Sequence, residues 1–314
     1  MKKVLIANRG EIAIRIARTC NDLGLKTVGI YSEDDANSLH LSKVDEAYKI
    51  DEKGAQAYLD IKEIIRIAKE SKADAIHPGY GFLSENSLFA SAAKRAKIKF
   101  IGPNERTLKI FGDKTSAKEL ASSLNIPVIA GTHEKTSIRK AQSFMKSLKK
   151  NSSVVIKAIS GGGGRGMRVV SKIDDLKESF DRAASEAKAS FDSPDLYLEE
   201  YLKNYRHIEF QIIGDGTGGV SHLHERECSI QRRHQKLIEI APSPSLDLEL
   251  KSKMVEASLA LTQKLKYEGL ATIEFLVNVE KNDYRFIECN PRLQVEHTVT
   301  ESVLSLDIVK AQIQ

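Results

Sequence analysis

Two acidic residues near the end of the chain, Glu274 and Glu288, stand on either side of a polar turn. If the flanking segments 271–279 and 284–289 pair as a β-hairpin about residue 281, the two carboxylates are direct cross-strand neighbours. At about 5 Å and an effective dielectric of about 20, their repulsion would be about 3 kcal/mol. Apolar flanking residues would make both faces of the hairpin largely apolar. A buried carboxylate pair needs a cation or a shared proton.

The residues after Glu288 extend this pattern. Asn290 is two positions further on and therefore lies on the same face of a strand. Two carboxylates and an amide oxygen suit Mg²⁺, usually together with nucleotide phosphates. If the chain stays extended, Arg292, Gln294 and Glu296 continue that face, with Arg292 placed for an anion and Glu296 for a general base. The alternatives are incidental acids on a partly exposed hairpin and a salt-bridged surface turn.

A glycine run at 161–166, interrupted only by Arg165, follows an apolar strand predicted at 154–158 that contains Lys157. It is not a P-loop, because Met167 replaces the Lys-Ser/Thr ending, and it does not lie in the first βα turn, where a dinucleotide fingerprint belongs. Backbone without side chains can approach phosphate closely and donate N–H groups, which favours a lid over a triphosphate. A flexible surface loop is the alternative. Lys157 and Lys114 could each place a charge on phosphate oxygens.

The segment 225–236 is dense in Arg, His and Lys. It is either a charged loop or an anion pocket that faces the hairpin. Cys228 lies within it without a catalytic partner pattern, so we interpret it as a small buried side chain, and Cys20 and Cys289 likewise.

Composition bounds the class of protein. The chain has 314 residues, 41% hydrophobic and 29% charged, which is typical of about two globular domains. Its net charge of +5 arises from 48 basic and 43 acidic residues without a clustered basic stripe, so we expect anionic substrates and no nucleic acid. No apolar run approaches the roughly 20 residues of a membrane span. Sparse cysteines indicate a reducing compartment, and the predicted location is cytoplasmic.

The first hundred residues alternate apolar strands with amphipathic helices, which predicts a parallel sheet covered on both faces. The predicted strands are 4–7, 27–31, 73–77 and 99–101, and the predicted helices begin at Gly10 and cover 58–69 and 88–96. Beyond them we predict helices over 107–124, 248–266 and 302–314 and strands over 154–158, 197–201, 207–213, 219–223, 271–279 and 284–289. The last helix has no stop signal, which suggests a piece of a longer protein.

Taken together, these motifs resemble the biotin carboxylase family of ATP-grasp ligases over the whole chain. The resemblance rests on residues 6–15 (IANRGEIAIR), 77–86 (HPGYGFLSEN), 100–103 (FIGP), 112–114 (GDK), Lys157 with the glycine run, 225–236, and 286–301 (FIECNPRLQVEHTVTE). It implies an α/β chain with a Rossmann-like N-terminal domain at 1–112 and an ATP-grasp domain at 113–314, whose mobile glycine-rich lid covers roughly 131–203. Family members continue into a C-terminal domain that this chain would lack.

The resemblance also implies roles for individual residues. The implied ATP contacts are Lys114, Lys157, Gly163, Gly164, Met167, Glu199, Glu200, Tyr201, Leu202, His207, Gln231 and His234, with 199–202 as the hinge that reads adenine. Glu274, Glu288 and Asn290 would hold Mg²⁺, with Mn²⁺ as an alternative. Lys236, Arg292, Gln294 and Val295 would bind bicarbonate, with Lys236 and Arg292 also counted as catalytic, and Glu296 would be the base.

The implied reaction is attack of bicarbonate on the γ-phosphate of ATP to give carboxyphosphate, whose CO₂ is captured by biotin on a carrier protein or domain. Charge neutralisation and exclusion of water are the protein's main tasks. The implied partners are the biotin carrier, a carboxyltransferase subunit and, in the full-length form, a second copy of the chain. Without the C-terminal domain we expect weak or absent biotin carboxylation.

Two other functions stay open at this stage. One is a different ATP-grasp ligase, such as a carbamoyl-phosphate synthetase-like enzyme, and the other is a nucleotide-binding module without turnover. The acceptor of the parent system is undecided among acyl-CoA thioesters, as in fatty acid biosynthesis, pyruvate and urea. Pro291 together with Thr298 slightly favours a parent system that resembles the pyruvate-type relatives.

Overall fold

The computed structural model describes residues 1–132, 134–159, 167–232 and 235–314. The glycine run 161–166, including the predicted ATP contacts Gly163 and Gly164, lies outside the described residues, and so does His234.

The N-terminal part contains the predicted parallel sheet. Its strands are β1 (Lys3–Ile6), β2 (Lys26–Tyr31), β3 (Glu46–Lys49), β4 (Ala75–His77) and β5 (Lys99–Phe100), in the order β3-β2-β1-β4-β5. The helices are α1 (Gly10–Asp22), α2 (Ile61–Glu70) and α3 (Ser87–Arg95). Separate buried clusters pack on the two faces of the sheet, which confirms the two-sided burial that the sequence pattern predicts.

A connecting pair of helices, α4 (Glu105–Gly112) and α5 (Lys114–Ser123), replaces the single helix predicted over 107–124. Asp113 leaves helical geometry with ψ 113°, and its side chain accepts from the Ser116 backbone N–H at 2.6 Å. An N-cap of this kind starts a new helix instead of continuing the old one. As a result, Lys114 is the first residue of α5.

A small antiparallel sheet follows, in the order β7-β6-β8. Its strands are β6 (Ser153–Ala158), β7 (Arg168–Val170) and β8 (Leu196–Tyr201). The helices α6 (Ile138–Ser147) and α7 (Leu176–Phe191) share a buried cluster with it. This unit coincides with the segment predicted as the lid.

The largest antiparallel sheet has the order β11-β10-β9-β12-β13. Its strands are β9 (Arg206–Asp215), β10 (Val220–Arg232), β11 (Gln235–Ile240), β12 (Glu268–Asn278) and β13 (Asp283–Asn290). Helix α8 (Leu248–Lys264) packs against one face through a cluster that includes Phe210, Phe275 and Phe286. Strand β10 continues well past the predicted end at residue 223, so most of the charged segment 225–236 is strand and not loop.

The C-terminal residues form two short helices, α9 (His297–Leu304) and α10 (Ile308–Ile313), instead of one helix over 302–314. Ser305 takes left-handed geometry with φ 51°, which ends α9, and the Asp307 side chain caps α10. Arg15 of α1 donates to Glu301 at 2.7 Å and to Asp307 at 2.8 Å, so these helices are anchored on the N-terminal sheet. Among the described residues, no helix is long and apolar enough to cross a bilayer.

Candidate functional site

The site lies on the polar face of the largest sheet. Along β9, Ile208, Phe210 and Ile212 enter the core that α8 covers, while His207 and Glu209 point to the opposite face, as strand alternation requires. One face of the hairpin is therefore apolar and the other polar, whereas the sequence predicted two apolar faces. The prediction was wrong because one face packs against α8 through apolar side chains, whereas the opposite face carries the charged residues around Lys236.

The predicted pairing of the two acids is confirmed. Glu274 on β12 is the direct cross-strand partner of Glu288 on β13. The turn joins Asn278 to Asp283, half a residue away from the predicted centre, and a β-bulge that inserts Ile287 restores the expected register. Both carboxylates thus lie on the polar face, although Glu274 is buried and Glu288 is about one-third exposed.

Glu274 is surrounded by groups that stabilise its charge. It accepts from Lys236 at 2.9 Å and from Asn290 Nδ2 at 2.8 Å, and it lies 2.8 Å from His207 Nε2. Burial by itself would raise the pKa of this carboxyl, but His207 and Lys236 outweigh burial and hold the pKa well below its usual range. Lys236 and His207 therefore provide part of the positive charge that the Glu274–Glu288 pair requires.

Lys236 is the centre of the cluster. Its ammonium group contacts three carboxylates: Glu274, Glu296 at 2.7 Å, and Glu209, which is fully buried. Burial opposes the charge of Lys236, but the three acids raise its pKa above the usual range. Lys236 in turn lowers the pKa of Glu296 against the effect of burial, so Glu296 is a carboxylate at neutral pH.

The acids around Lys236 also bear on metal binding. Potential ligand atoms of His207, Glu209 and Glu274 lie within 4.8 Å of one another. The Lys236 ammonium already contacts two of these three groups, so the cation among them is the lysine. The neighbouring oxygens of Glu288 and Asn290 would suit a hard metal ion better than the group of His207, Glu209 and Glu274.

The segment after Asn290 does not stay extended, contrary to the expectation from the sequence. Strand β13 ends at Asn290, and a turn leads into α9, so Glu296 returns over the sheet to reach Lys236. Gln294 is buried beside it, whereas Val295 is 62% exposed. Any contact of Val295 with an anion would therefore use its backbone.

Arg292 bridges the two parts of the chain. Its Nε donates to Glu85 at 2.6 Å, and Nη2 donates to Asn290 Oδ1 at 3.3 Å. The side chain is about one-fifth exposed, so a guanidinium edge is accessible next to the predicted metal ligands. The sequence predicted this proximity to Asn290 but not the partner in the N-terminal part.

The predicted phosphate-binding lysines approach the hairpin from the lid side. Lys114 Nζ lies 3.7 Å from Glu288, which raises the pKa of Lys114 against the effect of burial. Lys157 Nζ donates to Glu199 at 2.5 Å, and burial together with the charge of Lys114 lowers the pKa of Lys157 to about 8. Glu288 acts electrostatically on both lysines, which places the lid lysine within range of the hairpin.

The residues predicted as the hinge divide between two sides of β8. Glu199 is buried and faces the lysines, whereas Glu200 accepts from Ser152 at 3.1 Å on the other side. Tyr201 is exposed and Leu202 half-buried at the end of the strand. Met167, the first described residue after 160–166, is half-buried. Gln231, by contrast, joins the main cluster, because its amide lies 2.8 Å from His207 Nδ1.

Three residues of the site were missed by sequence reasoning: Lys118, Glu209 and Arg226. Lys118 contacts Glu199 and lies one helical turn after Lys114, a spacing that could have revealed it. Glu209 lies two positions after His207 on the same strand face, which is an equally readable signal. Arg226 lies in the charged segment 225–236, but nothing in that segment distinguishes it from the other basic residues, because its role depends on cross-strand pairing with Glu209.

Arg226 supports the cluster from beneath. It has no solvent exposure and donates to Glu209 at 2.6 Å, to Gln211 at 3.0 Å and to Thr300 of α9 at 2.7 Å. One oxygen of Glu209 thus faces Arg226 and the other faces Lys236. The arrangement holds Lys236 in place through a carboxylate that cannot rotate away.

Two family models match the chain. Residues 1–108 match the biotin carboxylase N-terminal domain, and residues 113–314 match the ATP-binding domain of the carbamoyl-phosphate synthase L chain. Among curated proteins, pyruvate carboxylase of Bacillus subtilis is 51% identical over the whole chain, and human mitochondrial pyruvate carboxylase is 49% identical. The chain spans only 27% of the length of each of these relatives.

Solved structures agree with these matches. The biotin carboxylase of Campylobacter jejuni, in complex with beta-gamma-ATP, has a TM-score of 0.94 and 43% identity, covering 99% of this chain and 70% of that one. The biotin carboxylase domain dimer of Hydrogenobacter thermophilus 2-oxoglutarate carboxylase, with MgADP, ADP and bicarbonate, has a TM-score of 0.93 and 43% identity, covering 99% and 68%. The chain therefore belongs to the biotin carboxylase family and carries its N-terminal and ATP-binding domains.

Proposed function

We propose that this chain binds MgATP and bicarbonate and contributes the ATP-dependent biotin carboxylation step of a biotin-dependent carboxylase. The observation that carries the proposal is the half-buried Lys236, which contacts Glu209, Glu274 and Glu296 next to the accessible edge of Arg292. Two cations beside a carboxylate with a lowered pKa can bind a small oxyanion and accept its proton.

Bicarbonate would lie between Lys236 and Arg292, with Gln294 and the backbone of Val295 completing the pocket. Glu296 would accept the bicarbonate proton, because Lys236 keeps it ionised at neutral pH. The resulting dianion would attack the γ-phosphate of ATP, with ADP as the leaving group, to form carboxyphosphate. Carboxyphosphate would then break down to CO₂ and phosphate. The biotin that receives the CO₂ would arrive on a carrier protein or domain.

Magnesium would be held by Glu274, Glu288 and Asn290. These residues fit a hard divalent ion, because Glu288 presents a partly exposed carboxylate directly opposite Glu274 and the Asn290 side chain lies against Glu274. When bound, the ion would neutralise phosphate charge, and Mn²⁺ would satisfy the same ligands. Lys114, 3.7 Å from Glu288, would hold the phosphates from the opposite side.

The remaining nucleotide contacts would come from Lys157, Met167, the hinge 199–202, His207 and Gln231, together with Gly163, Gly164 and His234. The proposal includes the division into a Rossmann-like domain at 1–112 and an ATP-grasp domain at 113–314 with a lid at roughly 131–203. The three-stranded sheet β7-β6-β8, which forms a unit of its own with α6 and α7, supports that lid.

The parent system is proposed to be of the pyruvate carboxylase type. Support comes from the identities of 46–51% to pyruvate carboxylases of bacteria, fungi and mammals. The partners would then be a biotin carrier domain and a carboxyltransferase, with a second copy of the chain as a dimer partner. Fatty acid biosynthesis and a cytoplasmic location stay predictions from the sequence alone.

The test is ATP hydrolysis by the purified chain with and without bicarbonate, followed by addition of free biotin. Stimulation by bicarbonate that Lys236→Met abolishes and Lys253→Met leaves intact would support the proposal, since Lys253 lies exposed on α8. Further stimulation by biotin would separate this activity from a carbamoyl-phosphate synthetase-like ligase. Binding of MgATP without any bicarbonate response would indicate a nucleotide-binding module.

A further inference from the structure

A second buried charge cluster lies on the lid side of the site, around Glu199. One carboxylate oxygen of Glu199 contacts the ammonium of Lys118, and the other accepts from Lys157 at 2.5 Å. The side chains of Glu199 and Lys118 are only 3% and 6% exposed, respectively. Lys118 Nζ also lies 5.8 Å from the centroid of the Tyr197 ring, so an aromatic face covers it. The contacts join α5 to the hinge strand β8.

The two lysines differ in what else they can reach. Lys157 is 22% exposed and belongs to the group of residues proposed to bind phosphate, whereas Lys118 is enclosed behind it. A phosphate group that attracts Lys157 would take it away from Glu199. A buried carboxylate left without a cation is strongly unfavourable, so something must remain on Glu199 when Lys157 leaves.

We propose that Lys118 is a positioning residue of the nucleotide site, which holds Glu199 so that Lys157 can leave that carboxylate for the phosphates of ATP. The inference rests on the proposed function, because it requires that Lys157 binds the nucleotide. Lys118 touches neither phosphate nor adenine in this assignment and acts only through Glu199.

The charge balance of the cluster supports this role. Burial and the charges of Lys157 and Lys114 lower the pKa of Lys118. Burial and the charge of Lys114 likewise lower the pKa of Lys157. The two lysines on this single carboxylate therefore cannot both be protonated without an excess of positive charge, which an incoming polyphosphate would compensate. With Lys118 removed, Lys157 and Glu199 would form a neutral pair that has no such excess, and ATP would have to break it.

The test is the dissociation constant of MgATP for the full chain and four variants, measured by isothermal titration calorimetry. We expect Lys118→Met to weaken MgATP binding at least about tenfold and Lys118→Arg to recover most of that loss, since arginine keeps the charge. Lys109→Met is the matched control on α4, because Lys109 is exposed and its one ion pair among the described residues is with Glu105, one turn away.

The fourth variant, Lys118→Met with Glu199→Gln, separates positioning from a merely structural role. Removing the carboxylate frees Lys157, so the double variant should bind MgATP at least about threefold more tightly than Lys118→Met, even though Glu199 itself belongs to the proposed nucleotide site. If the double variant binds no better than Lys118→Met, the lysine acts through the fold and the inference is wrong. If Lys118→Met binds like the wild type, the inference fails alone, whereas a wild-type chain that does not bind MgATP overturns the proposed function as well.

Discussion

Replacing Arg226 by methionine is expected to destabilise the chain by about 3 kcal/mol, near the lower end of what breaking a buried ion pair costs. Arg226 and Glu209 both have 0% side-chain exposure, and the replacement removes three hydrogen bonds of 2.6–3.0 Å. The lower end applies because Glu209 keeps Lys236 as a second cation. Methionine preserves most of the side-chain volume, so a cavity contributes little.

The matched control is Lys253→Met, which removes an exposed ion pair with Glu249 on the helix that covers the opposite face of the same sheet. Exposed pairs of this kind contribute about 0.2–1 kcal/mol. The measurement is urea unfolding followed by circular dichroism, with the free energy taken from the shift in midpoint and the slope of the transition. A difference of less than about 1 kcal/mol between the two variants would refute the reasoning.

A second variant tests the cause of the loss. Adding Glu209→Gln to Arg226→Met removes the buried negative charge, and we expect at least half of the lost stability to return, because Lys236 still has Glu274 and Glu296. If the double variant is less stable than Arg226→Met, the destabilisation comes from packing and not from an uncompensated charge.

Three further results are expected. Glu288→Gln should raise the Mg²⁺ concentration needed for half-maximal ATP hydrolysis at least about tenfold, while Glu280→Gln in the exposed hairpin turn should leave it unchanged. Because Lys157 loses its proton near pH 8 in the free chain and phosphate favours the protonated form, MgATP binding should weaken as pH rises from 7 to 9, and Lys157→Arg should flatten that dependence. Lys236→Met should abolish bicarbonate-dependent turnover but change MgATP affinity by less than about threefold, as a binding titration beside the activity assay would reveal.

Local pattern accounts for the elements that the sequence predicted well. The alternation of strands and helices up to residue 101 predicted the parallel sheet, and a hairpin centred near residue 281 predicted Glu274 opposite Glu288, a register that the bulge at Ile287 preserves. The errors lie where a single side chain changes the backbone. Asp113 begins a new helix by capping it, and Ser305 ends one in left-handed geometry, although neither interrupts the hydrophobic pattern.

The cluster around Lys236 could not be derived from spacing. Its three carboxylates, Glu209, Glu274 and Glu296, are 27, 38 and 60 residues away along the chain, and they meet only because β9 lies between β10 and β12. The family resemblance named Lys236, Glu274 and Glu296 without explaining why they are close together. The spacing from His207 could have marked Glu209 as a candidate, but its position between Lys236 and Arg226 required the strand order.

The sequence by itself determined which residues could do chemistry and which neighbours along a strand or helix share a face, because those relations depend on backbone periods of a few residues. The tertiary structure decided which face of the hairpin is polar, which cation each buried acid receives, and that Lys118 stands behind Lys157 on Glu199. These features depend on contacts between elements far apart in the chain. A buried charge must be paired with an opposite charge or a hydrogen-bond partner, and tertiary packing decides which group that is.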